Sequence, residues 1–135
     1  MYAALKLIVQ RVDGKYVAWR VDDTVNLRIQ GVDVSVKEVQ IKTNGEGSRV
    51  FKTVLREFFV DETVAPDVAI FRYKIAGVPV IVTNDKFNLL HRAKIVKFQD
   101  LALPVYPLRE AKALYDVLDD AEKVAILNNH FTLYQ

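Results

Sequence analysis

Glu38, Gln40 and Lys42 alternate with Val39 and Ile41, and the run continues through Thr43 into Asn44-Gly45-Glu46-Gly47-Ser48. On a strand this alternation puts the three long polar side chains on one face and the two aliphatic ones on the other. Three such side chains on one face lose rotamer freedom and need solvent or partners. A polar strand end that leads through a glycine loop into a basic helix is suited to handling phosphate. Glu46 opposes that use, and the loop is too short for a P-loop and lacks its lysine.

A second set of residues couples cations with aromatic rings. In Ile70-Phe71-Arg72-Tyr73-Lys74, alternation places Phe71 and Tyr73 on one strand face and Arg72 and Lys74 on the other. Lys52 and Arg56 interleave with Phe51, Phe58 and Phe59, while Lys86, Arg92 and Lys97 interleave with Phe87 and Phe98. Single-strand binders use this pairing: cations follow the phosphates and rings stack on bases, at about 1–3 kcal/mol per base. The chain carries no RNP1 or OB-type signature.

Other chemistry is poorly supplied. The chain has no cysteine, which excludes disulfides, thiol catalysis and thiolate zinc sites. His91 and His130 have no partners at ligand spacing, so no metal site is expected from them. Ser35 and Ser48 are the only serines, and neither lies in Gly-x-Ser-x-Gly.

The elements that must position these residues belong to one domain spanning 1–135, with 51% hydrophobic and 27% charged residues. Net charge is only +2, which excludes a strongly basic DNA-coating protein. Residues 1–99 hold 16 Lys/Arg against 11 Asp/Glu, and residues 100–135 hold 3 against 6. A basic body with an acidic C-terminal helix suggests different partners for the two parts. No apolar run approaches the ~20 residues of a membrane span. The N-terminus lacks a basic n-region and a small-residue cleavage site, so a cytoplasmic protein is expected.

Residues 5–12 and 15–21 are apolar, β-branched runs on either side of Asp13-Gly14, which predicts a hairpin. A short helix over 3–11 is the alternative, with the turn favouring strand. Residues 25–29 alternate and predict a strand, followed by a turn at Gln30-Gly31 and a long strand over 34–43. The alternation slips by one near Lys37-Glu38, which a bulge would absorb. Ser48 can cap a helix over 49–59. Residues 60–66 read as a loop, and 68–75 with 78–83 as a second hairpin around Ala76-Gly77. Asn84 can cap a short helix over 85–93, 95–99 forms a last strand, and 108–128 is the longest helix. Leu114, Leu118, Ala121 and Ala125 lie on its apolar stripe and offer a homodimer contact.

The run Val39-Gln40-Ile41-Lys42-Thr43 resembles the Gln-x-Lys form of the motif strand in the PD-(D/E)XK nuclease superfamily. The order of elements over residues 20–83 is similar to that core. The resemblance implies a Mg²⁺-dependent nuclease using Asp23, Glu38 and Lys42, with Gln40. It departs at Asn26, which stands where the family has an aspartate, and Asn cannot supply a carboxylate's charge to a metal. The resemblance therefore implies a degenerate, binding-only version.

The sequence thus predicts an α+β domain with a largely antiparallel sheet, helices on one face and a C-terminal helix. The expected function is non-catalytic, cofactor-free binding of single-stranded DNA or RNA with low sequence specificity. Lys42, Lys52, Arg56, Arg72, Lys74, Lys86, Arg92 and Lys97 would meet phosphates, and Phe71, Tyr73 and Phe87 would stack. The enzyme alternative is the Mg²⁺ nuclease, and a third class is a self-associating structural or adaptor protein.

Overall fold

The structure, a computed structural model, describes residues 1–134. The chain opens with helix α1 (Tyr2–Val12), where the hairpin strand was expected. Ala4, Leu5, Ile8 and Val12 are its buried residues. That spacing follows a helical stripe, whereas a strand with Leu5 inward would also have turned Arg11 inward. Gly14, at φ +75°, lies just past the helix end rather than in a hairpin.

Strand β1 (Trp19–Asp22) runs directly into helix α2 (Asp23–Ile29), again where a strand was expected. Val25, Asn26, Leu27 and Ile29 are all buried, because the short helix is enclosed between the two cores of the protein. Strand β2 (Val39–Thr43) is the second half of the long predicted strand, and the expected slip vanishes because pairing starts only at Val39. Helix α3 (Gly45–Val54) is capped by Asn44 rather than Ser48: the Asn44 side chain accepts the Gly47 N–H at 2.8 Å.

After a 3₁₀ turn at Arg56–Phe58 come β3 (Phe59–Ala65), β4 (Val68–Ile75) and β5 (Val78–Asn84). The β4–β5 hairpin turns at Ala76-Gly77, as the sequence predicts. β3 replaces the expected loop and is exposed along its whole length, so its residues carry no burial signal. The expected helix over 85–93 is a loop with one 3₁₀ turn at Leu90–Arg92. Strands β6 (Lys94–Phe98) and β7 (Leu101–Val105) pair with each other. The long C-terminal helix divides into α4 (Leu108–Val117) and α5 (Ala121–Tyr134), with Asp119 between them at φ +55°.

The architecture is α+β. The main sheet has the order β1-β2-β5-β4-β3 and is antiparallel except where β2 meets β5. One core lies between the sheet and α1 and α3, and takes in β7. A smaller core joins Leu27 of α2, Val32 and Tyr106 of the connecting segments, Ala111 and Tyr115 of α4, and Leu127 of α5. Leu114 packs on that second core, whereas Leu118, Ala121 and Ala125 are exposed across the break. The continuous stripe proposed for self-association is therefore not formed.

Tyr73 is a core residue whose buried hydroxyl has no hydrogen-bond partner among the described residues. Burial, then the nearby Glu62 charge, pushes it up to about 12. Tyr73→Phe removes an unsatisfied group and keeps the ring, so it should stabilise the fold by about 1 kcal/mol. A urea midpoint below that of the wild type would contradict this.

Candidate active site

β2 buries Val39, Ile41 and Thr43 and leaves Gln40 and Lys42 half-buried on the opposite face. Gln40 lies opposite Asp22 on β1 and Ile81 on β5, and Lys42 opposite Arg20 and Thr83. The polar face read from the sequence thus extends over three strands. Glu38 immediately precedes it.

Asp23 stands where β1 turns into α2. Its φ of +55° is in the left-handed region, a strained backbone for a residue with a Cβ. The Gln40 amide donates to Glu38 Oε1 at 2.8 Å and, at the long limit of 3.5 Å, to Asp23 Oδ2. One amide therefore bridges a carboxylate at the start of α2 and one just before β2. On its other oxygen, Asp23 meets the Lys123 ammonium of α5 at 2.9 Å, and Lys123 also reaches Asp120 at 2.9 Å. Burial pulls Lys123 down, but its hydrogen bonds to Asp120 and Asp23 and their charges outweigh this and leave it above the ordinary lysine value. The same hydrogen bond from Lys123 holds Asp120 below the usual carboxylate range. An open cleft of about 600 Å³ adjoins the group, lined by Asp23, Thr24, Val34, Ser35, Lys37, Glu38 and Glu122.

The loop after β5 closes the other side. Lys42 Nζ meets Asp85 Oδ2 at 2.7 Å, with both side chains largely covered. Arg20, fully buried, donates to the Asn88 and Phe87 carbonyls at 2.7 and 3.2 Å, to the Val21 carbonyl at 3.1 Å and to Asp22 Oδ1 at 2.9 Å. Its guanidinium lies 4.3 Å from the centre of the Tyr106 ring. The arginine thus fastens the loop to β1 and to the segment leading into α4, and it holds Asp22 beside Asp23.

Gly47 seals the junction of β2 with α3. A Cβ there would lie 1.7 Å from Thr43 Oγ1, which donates to the Ala18 carbonyl at 2.7 Å. Gly47→Ala should therefore cost about 2–3 kcal/mol through overpacking. Adding Thr43→Ala should restore part of the loss, because it removes the clashing hydroxyl. Thermal melts of the two single variants and the double variant check this, and strict additivity would reject the clash.

Of the residues singled out in the sequence, Asp23, Glu38 and Gln40 come together, and Lys42 shares their face but engages Asp85. Asn26 is no substitute for an acid at this site. It is buried, donates to the Tyr106 carbonyl at 2.9 Å and accepts the Tyr106 N–H at 2.8 Å, which ties α2 to the end of β7.

The aromatic and basic set does not form a track. Phe71 and Tyr73 are core residues, 7% and 2% exposed, because the face they share is the one that packs inward. They present no ring to a base. Lys52 pairs with Glu62 and Arg72 with Asp61, each at 2.9 Å, and Arg92 approaches Glu110 at 3.7 Å. Phe87 is half-buried, with Lys86 over its ring. Arg56, Lys74, Lys86 and Lys97 are exposed on separate elements. Sequence reasoning missed Arg20, Asp85, Asp120 and Lys123. Only Arg20 left a trace, as a charge inside the apolar run Val17-Ala18-Trp19-Arg20-Val21.

Neither a protein-family model nor a curated protein matches the sequence. Solved structures do match the fold. A candidate nucleotidyltransferase from Thermotoga maritima is 22% identical, with a TM-score of 0.74 over 96% of this chain and 91% of its own. The lincosamide antibiotic adenylyltransferase LnuA, with lincomycin bound, is 8% identical, with a TM-score of 0.64 over 92% and 94%. The aminoglycoside adenylyltransferase ANT(2″)-Ia, in complex with adenylyl-2″-tobramycin, is 7% identical, with a TM-score of 0.62 over 95% and 87%.

At these identities the likeness establishes the fold, which is that of nucleotidyltransferases and not of PD-(D/E)XK nucleases. It overturns the nuclease resemblance and, with it, the expectations of single-strand nucleic-acid binding, of a nuclease and of a non-catalytic, cofactor-free protein. The Gln-x-Lys run misled because any half-buried strand with a polar face reproduces it. Among the described residues, no helix is long and apolar enough to cross a membrane.

Proposed function

We propose that the chain is a nucleotidyltransferase. It takes a nucleoside triphosphate at the polar end of β1, β2 and α2 and passes the nucleotidyl group to a hydroxyl of a small acceptor. The observation that carries this reading is the meeting of Asp23 and Glu38 on the Gln40 amide, beside an open cleft, on a fold like that of two adenylyltransferases. In the reaction, the acceptor oxygen bonds to the α-phosphorus while the bond to the bridging oxygen breaks and pyrophosphate leaves. Lys42 and Asp85 fasten the loop after β5 to β2 on the far side of this face.

Nucleotidyl transfer on this fold implies a divalent cation. Among the described residues, no three His, Cys, Asp or Glu side chains converge on a metal position, so an all-protein cage is absent. The donor set fits a different arrangement. Mg²⁺ is commonly held by one or two carboxylates, with substrate phosphates and water completing the octahedron. Asp23 and Glu38 would supply that pair, and Asp23 already carries a cation in the form of the Lys123 ammonium. When bound, the metal would neutralise charge building up on the phosphates.

Incubation with each α-labelled nucleoside triphosphate, Mg²⁺ and a panel of hydroxylated small molecules tests the reading. The expected result is pyrophosphate release together with labelled acceptor, both dependent on acceptor. If none of the four nucleotides binds at millimolar concentration, the reading fails.

A further inference from the structure

We propose that Lys123 is an internal competitor for the divalent cation: its ammonium occupies Asp23, and a metal-chelated triphosphate gains the Asp23–Glu38 pair only when α5 releases that contact. This rests on the nucleotidyltransferase reading above.

Three observations support it. First, Lys123 belongs neither to α2, which carries Asp23, nor to the segment entering β2, which carries Glu38. It is brought in by α5, whose other hold on the body is slight: Leu127 is its one buried residue among those described, with Val124, Ile126 and Phe131 partly buried. Second, α5 follows a short break after α4, where Asp119 sits at φ +55° and Leu118 is exposed. Such a break is a natural hinge, because the strained residue gains by relaxing when the helix moves. Third, Lys123 has somewhere to go. It bonds Asp120 on its own side of the hinge at 2.9 Å and lies 5.5 Å from the Tyr115 ring centre. On leaving Asp23 it keeps one carboxylate partner, so release does not strand a buried charge.

One ammonium and one dication cannot share the same Asp23 oxygen. The Gln40 amide bridges Asp23 and Glu38 in the resting arrangement and holds the pair together for whichever cation is present. The competition makes metal affinity low until the triphosphate adds its own ligands, and so couples cation binding to the presence of nucleotide.

Mn²⁺ binding to the full chain, followed by electron paramagnetic resonance without nucleotide, tests this directly. Lys123→Met keeps the apolar stem and removes the charge. It should bind Mn²⁺ at least about tenfold more tightly than the wild type, and Lys123→Met/Asp23→Asn should lose the gain. In the wild type, Mn²⁺ with a non-hydrolysable triphosphate analogue should speed amide hydrogen exchange across 121–134, a readout that needs no variant. Equal Mn²⁺ affinity in the wild type and Lys123→Met, both weakened by Asp23→Asn, would overturn the competition and leave the nucleotidyltransferase reading intact. Absence of Mn²⁺ binding in every variant, with or without the analogue, would overturn both.

Discussion

Arg20→Ala is expected to destabilise the protein by about 3–5 kcal/mol, the usual cost of breaking a buried charged pair. Such a loss is a large part of the total stability of a domain this size. The side chain is fully buried, and its removal strands three carbonyls, those of Val21, Phe87 and Asn88, together with the Asp22 carboxylate. The face of Tyr106 also loses the guanidinium stacked on it. Arg20→Lys should recover little, because an ammonium cannot reproduce a planar fork spread over four acceptors. Urea denaturation followed by circular dichroism gives the answer. If Arg20→Ala unfolds within about 1 kcal/mol of the wild type, the arginine is not the fastening described.

Asp23→Asn should separate chemistry from stability. Asn tolerates the left-handed backbone at least as well as Asp, so the φ of +55° is retained and the fold should hold. The substitution removes one of the two carboxylates on the Gln40 amide and the partner of Lys123. Turnover should fall by about 10³-fold, or about 4 kcal/mol in the barrier. Asp23→Gly should lose as much turnover while relieving the backbone strain. Pyrophosphate release at saturating nucleotide measures both. A rate within tenfold of the wild type would remove Asp23 from the chemistry.

Local signals in the sequence were reliable where local structure decided the outcome. The β4–β5 hairpin follows from its alternation and from Ala76-Gly77, and the two-faced character of β2 follows from Val39, Ile41 and their polar neighbours. α1 was misread because Asp13-Gly14 reads as a hairpin turn, and α2 because Val25, Leu27 and Ile29 alternate over a helix of only seven residues. Burial at Ala4, Leu5, Ile8 and Val12 chose the helix, and that is a tertiary fact. Phe71 and Tyr73 show the same limit, since alternation assigns residues to faces without saying which face is wet.

The site was legible only in part. Asp23, Glu38 and Gln40 drew notice for their residue types, and the fold does bring them together. Lys123 was invisible because, in sequence, it is one charge among several on an ordinary helical face. Its contact with Asp23 depends on where α5 docks, and that depends on the helix break at Leu118–Asp120, which an unbroken apolar stripe concealed.

The parallel pairing of β2 with β5 also governs the order in which the molecule assembles. β4 and β5 are joined by a tight turn and can zip within microseconds. β2 meets β5 only after the whole of α3, β3 and β4 has been looped out, so that closure carries a larger entropy cost. Lys42 finds Asp85, and Asn88 finds the Thr43 carbonyl, only at that late step. The edge that carries the candidate site is therefore expected to form after the β4–β5 hairpin on folding and to open before it on warming. Activity should fade on heating while the β4–β5 hairpin is still intact, with amide exchange at Ile41 rising before exchange at Tyr73.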